Sequence, residues 1–156
     1  MMYKTTPRGF TLIIAVIVSS VVLSVGLTLL DITYKQITLA SSATQSQYAF
    51  YNADTTLECV LYWDQQFGAF DFTTPLDAEN ITCNSIPVTN YSSYIPTAGN
   101  RRTEFSVPCA TGGSLGYVTI DKTTTNQTII LANGFNNCDV GDPRRIERGL
   151  KAEYGM

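Results

Sequence analysis

FTLIIAVIVSSVVLSVGLTLL, residues 10–30, contains no charged residue and no proline. As a helix rising about 1.5 Å per residue it is roughly 31 Å long, close to the hydrocarbon thickness of a bilayer. Its serines and threonines can return their hydroxyls to backbone carbonyls, so they do not disqualify it. A soluble protein of 156 residues has little material with which to surround such a rod on every side. The stretch therefore reads as a transmembrane helix, and the rest of the chain is organised from it.

Upstream lie residues 1–9, MMYKTTPRG, polar and positive through Lys4 and Arg8. Acidic residues begin only at Asp31, just past the apolar run. This asymmetry places the N-terminus in the cytoplasm and the C-terminal part outside, as a single-pass protein of the cytoplasmic membrane. A secretory signal has a similar layout, but its apolar region is usually about 7 to 15 residues and a small-x-small cleavage site follows. This run is longer and no such site follows promptly.

Composition narrows the function. The net charge is −3, and the ten basic residues form no stripe, which argues against a nucleic-acid partner. There is no histidine, the commonest general base and metal ligand. No nucleophile elbow or Gly-rich phosphate loop is present, so the chain reads as a non-enzyme without cofactor or metal. Four cysteines, Cys59, Cys83, Cys109 and Cys138, all follow the apolar run. They form no Cys-x-x-Cys pair, so structural disulfides in an oxidising compartment are the better reading. Three pairings exist. Cys59–Cys83 with Cys109–Cys138 closes the shorter loops, but spacing alone leaves the choice open.

From Asp31 to about Gln66 no proline or glycine interrupts the chain. Leu39, Ala43, Ser46, Phe50, Ala53, Leu57 and Val60/Leu61 recur at steps of three and four, the stripe of an amphipathic helix, with Gln36, Ser42, Gln45 and Thr56 off it. Residues 10–66 are thus expected to form one helix whose first half, 10–30, spans the bilayer and whose second half, 31–66, covers a folded head. Asp54 and Glu58, four apart, are expected on its solvated face.

Gly68 and Pro75 end the helix. Residues 67–102 read as an irregular, variable loop with at most a short strand near residues 86–88, and Cys83 as its pin. Its Tyr91 and Tyr94 are either core filling or a contact surface. Strand candidates follow at 103–109, 116–124, 128–133 and 146–154, separated by turn chemistry at 111–114, 124–127 and 141–143. They predict an antiparallel meander over 103–156 with the helix on one face. The fold class is α+β. In the last strand Ile146, Arg148, Leu150, Ala152 and Tyr154 share a face. Arg148 is expected to sit at an edge or to extend over the core to water, and Arg144 and Arg145 to form a solvated corner. Asn80, Asn90 and Asn126 head Asn-x-Ser/Thr patterns that read as chance in an Asn/Thr-rich surface. Asp121, Asp139 and Asp142 lack calcium-loop spacing.

The junction Arg8-Gly9-Phe10-Thr11-Leu12-Ile13 resembles the leader of type IV pilin and pseudopilin precursors. The resemblance implies cleavage by a prepilin peptidase between Gly9 and Phe10 and N-methylation of Phe10. Residues 49–58, AFYNADTTLE, are also similar to the helix of minor pilins of the PilX type. The implied fold is the pilin one, and the implied partners are other pilin subunits, the peptidase and cytoplasmic-membrane lipid. The implied role is a minor subunit of a type IV pilus or a related secretion or DNA-uptake filament, extracellular after assembly and available for adhesion. The chain departs from the family at the fifth residue after the cut, where most members carry glutamate and this sequence has Ile14. The large tip pseudopilin also lacks that carboxylate, so the departure points to a minor, tip-proximal subunit. The competing expectation is a single-pass anchor presenting a binding domain that never polymerises.

Overall fold

The computed structural model describes residues 8–125 and 127–155. Residues 1–7 of the expected leader lie outside the described residues, as does Asn126. The chain divides into two units, Met1–Ser42 and Ala43–Met156.

A single helix, α1 (Arg8–Phe67), contributes to both units. It stops at Gly68, whose φ of 60° suits a residue without a Cβ. There the Ala69 N–H turns back onto the Trp63 carbonyl at 3.2 Å and the Gly68 N–H onto that of Asp64 at 3.0 Å.

In the second unit, a short 3-10 turn (Ala78–Asn80) precedes a two-stranded ribbon, β1 (Thr82–Cys83) with β2 (Ile86–Pro87). Five strands follow: β3 (Thr89–Thr97), β4 (Asn100–Pro108), β5 (Ser114–Thr123), β6 (Thr128–Phe135) and β7 (Glu147–Tyr154). They form one antiparallel sheet in chain order. The α+β architecture expected from the sequence is present, an N-terminal helix packed on a C-terminal antiparallel sheet.

Its start differs from expectation. The sheet begins at Thr89, inside the 67–102 stretch that reads as a loop. Strand β3 shows no clean alternation because it is an exposed edge, carries Pro96, takes φ of 54° at Asn90, and pairs with β4 through two register shifts. Proline and irregularity are tolerated at an edge because one side of the strand makes no ladder bonds.

The inner face alternates as the sequence requires. Thr103, Phe105 and Val107 of β4, Val118 and Ile120 of β5, and Ile130 and Ala132 of β6 are buried. Phe70 stacks on Phe105 at 5.7 Å and Tyr91 stacks at 6.2 Å. Burying a ring such as Phe105 contributes about 2–3 kcal/mol, so the post-helical segment is part of the core.

The helix stripe is corrected in detail. The buried positions are Ala49, Ala53, Thr56, Val60 and Asp64, a regular run at steps of three and four. Leu39 and Phe50 are exposed, at 70% and 44%, and Ala43 is exposed. Thr56, expected off the stripe, lies at its centre. The cause is the sheet. Register pairs Gly116 with Gly134, and a Cβ on Gly134 would stand 2.0 Å from the Ala53 nitrogen and 2.4 Å from the Ala49 oxygen. Only small helix residues fit against strands that close. Hydrophobicity therefore does not mark this part of the contact; size does.

Both cysteine pairs are bonded as the shorter-loop pairing expects. Cys59–Cys83 ties the helix to β1, with Cα atoms 5.9 Å apart, and Cys109–Cys138 ties the end of β4 to the β6–β7 connection, at 6.2 Å.

Candidate functional site

The first unit is dominated by the apolar run. The Phe10–Phe67 helix contains an 18-residue window of mean hydropathy 2.7, none of it buried by the rest of the chain. It is long and apolar enough to cross a membrane. The structure also accounts for its polar atoms. Ser19 donates to the Val16 carbonyl at 3.0 Å, Ser20 to Ile17 at 2.8 Å, Ser24 to Val21 at 2.9 Å and Thr28 to Ser24 at 2.9 Å. A hydroxyl whose proton is already placed on its own helix can enter hydrocarbon without an unmade hydrogen bond, which would otherwise cost about 2 kcal/mol or more. The first charges after the run, Asp31 and Lys35, pair one helical turn apart at 2.7 Å.

The residues singled out at the leader junction sit at the start of this helix. Gly9 and Phe10 fall in the first turn of α1, which begins at Arg8. The Phe10 ring is exposed, and so is Ile14.

In the second unit the sequence candidates disperse. Asp54 and Glu58 are exposed on α1. Asp121 takes Arg102 in a two-point ion pair, both contacts 2.8 Å, and that pairing raises the affinity of the Arg102 guanidinium for its proton. Asp139 caps the Gly141 N–H and Asp142 the Arg144 N–H, each at 2.8 Å. Asp139 and Asp142 order a turn, and Asp121 ties β5 to β4. Among the described residues no three histidine, cysteine, aspartate or glutamate side chains gather as a metal would require. Arg145 is no solvated corner: its guanidinium lies 3.6 Å from the Phe135 ring centroid and donates to the Ser114 carbonyl at 3.0 Å. Arg144 is solvated as expected, its side chain 90% exposed. Arg148 sits on the edge strand, its Nε donating to Ser46 Oγ at 2.7 Å.

The two tyrosines of the former loop separate. Tyr91 is half-buried and donates to the Leu76 carbonyl at 2.9 Å, and burial pushes its phenol above the ordinary value of 10.0. Tyr94 is 42% exposed. It pairs across the sheet with Arg102, on the outer face.

Sequence reading missed one polar cluster. Asp64 is buried at the end of the helix stripe. Its Oδ1 accepts from Lys122 Nζ at 2.7 Å and its Oδ2 from the Tyr154 hydroxyl. Asp71 Oδ1 is 4.0 Å from the same Nζ. Lys122 and Tyr154 share one row of the inner face, Arg101–Lys122–Thr128–Tyr154. Burial first, then the Asp64 carboxylate, pushes the Tyr154 phenol well above its ordinary value. The available signal was positional: Asp64 continues the apolar stripe four residues after Val60, and Lys122 follows Ile120 at the inward spacing of two. A charge at each inward position announces a pair, because neither is buried cheaply alone.

No protein-family model matches the sequence, and no curated protein or solved structure matches it either.

Proposed function

We propose that this chain is a structural subunit of a type IV pilus or a related secretion or DNA-uptake filament, a minor and tip-proximal one. The observation that carries the proposal is the helix that begins beside the Gly9–Phe10 junction and runs on through residues 10–30, apolar on every side, its serine hydroxyls turned inward. Such a rod is stable in lipid and equally stable against other rods of its kind, since either medium removes it from water. The helix-on-sheet head and its two disulfides support the same reading, because a cross-linked head keeps its fold outside the cell.

The mechanism proposed is assembly. A prepilin peptidase removes residues 1–9 on the cytoplasmic side and methylates Phe10. The membrane stores the processed chain, and burial of the helix against other subunits replaces its burial in lipid. Ile14 gives the tip position its physical basis: a carboxylate there would need a cationic partner in the apolar interior, and a subunit without a neighbour above it has none to offer.

Ile14 also favours a second reading, a single-pass anchor whose head binds a partner without polymerising. The N-terminal peptide of the native protein separates the two. A peptide starting at methylated Phe10, and its loss in Gly9→Val, supports the filament subunit. A peptide starting at Met1 supports the anchor. Replacement of Ile14 by Glu tests the tip position: unchanged assembly and unchanged placement by immunogold labelling of sheared filaments would remove its basis.

A further inference from the structure

We propose that Lys122 and Asp64 condense into an intramolecular amide, a covalent tie between the end of α1 and strand β5. Three features of the cluster point to it. The amine and the carboxylate are already in contact at 2.7 Å, and their side chains are only 13% and 3% exposed. Tyr154 donates its hydroxyl to the other carboxylate oxygen, the position from which a donor polarises the C–O bond under attack. Asp71, its side chain 56% exposed, has Oδ1 4.0 Å from Nζ, a separation across which a proton passes only through one solvent water.

The step balances without a co-reactant. A proton passes from the Lys122 ammonium to the Asp64 carboxylate, leaving a neutral amine beside a neutral acid. Nζ forms a bond to Cγ. A second proton leaves Nζ through a solvent water held by Asp71 and reaches the hydroxyl on Cγ. The C–O bond breaks, water leaves, and Tyr154 remains hydrogen-bonded to the amide oxygen. Ammonium and carboxylate become amide and water. Two effects drive it. Fixed contact replaces a bimolecular encounter, and an uncharged amide replaces two charges held out of water.

The test is mass spectrometry of the full chain extracted from membranes in detergent, followed by peptide mapping of the head. The expected result is a head lighter by one water than its disulfide-bonded sequence, with a branched peptide joining Asp64 to Lys122. Lys122→Arg keeps the ion pair but cannot form the amide, and its head is expected at full mass. Asp71→Asn is expected to lower the linked fraction several-fold. A wild-type head at full mass overturns the proposal. So does a water loss without that branched peptide, since a cyclic imide within one segment gives the same mass. The mapped peptides exclude the N-terminus, so the outcome stands apart from whether the leader is cut or the chain polymerises.

Discussion

Gly134→Ala adds a single methyl group at the point where helix and sheet approach most closely. The new carbon would lie 2.0 Å from the Ala53 nitrogen, 2.4 Å from the Ala49 oxygen and 2.6 Å from the Asn52 carbonyl carbon, whereas ordinary contact begins near 3.4 Å. All three obstacles are backbone, so no side chain can swing aside. The helix and β6 must part by more than an ångström. A gap of about 0.5–1 Å already forfeits roughly a quarter to a half of each dispersion contact along the seam. The expected loss is about 3 kcal/mol, the upper part of the range for overpacked cores. Gly149→Ala is the matched control, because its nearest obstacle is Asn133 Oδ1 at 2.9 Å, the end of a side chain on the outer face. That variant is expected within about 0.5 kcal/mol of wild type. Urea unfolding in detergent reads both through Trp63, the single tryptophan, whose indole donates to the Thr82 carbonyl at 2.9 Å. Equal midpoints for the two alanine variants would refute the close helix–strand seam.

Thr56 Oγ1 is buried without a hydrogen-bond partner; Thr56→Val keeps the shape, removes the orphan hydroxyl, and is expected to raise stability by about 1 kcal/mol in the same assay. The Tyr154 phenol is held above 10.0 in the folded head, so the unfolded chain loses that proton first. The stabilisation is complete below about pH 10 and is lost as pH rises further towards the folded value. Alkaline titration of unfolding should show a steeper fall for wild type than for Tyr154→Phe. Tyr91→Ala removes a ring stacked in the core and is expected to cost about 3 kcal/mol. Tyr94→Ala removes an exposed ring and should change stability by less than about 0.5 kcal/mol; paired thermal melts of the two variants check both.

The parts of the fold that the sequence announced are those where one residue type carries the signal alone. An uninterrupted apolar run of that length is long and apolar enough to cross a membrane, and β4 to β6 alternate because one face meets a core and the other meets water. The parts it concealed are those where the signal belongs to a pair. Gly134, one residue past the expected 128–133 strand, carries no signal until Ala49 and Ala53 are set against it. Together they bring the helix so near that Phe50 is displaced to the surface and Thr56 is drawn in. Asp64 and Lys122 likewise read as polar interruptions, 58 residues apart, and acquire meaning only when the sheet lays one against the other. Strand β3 was hidden for the opposite reason, since an exposed edge buries too little to impose a pattern. The Gly9–Phe10 junction differs from all of these. Its proposed role requires a peptidase and further subunits, so its meaning lies in chemistry done to the chain, and no arrangement of this chain's own atoms can supply it. That is why the N-terminal peptide, rather than any feature of the head, decides between filament subunit and tethered domain.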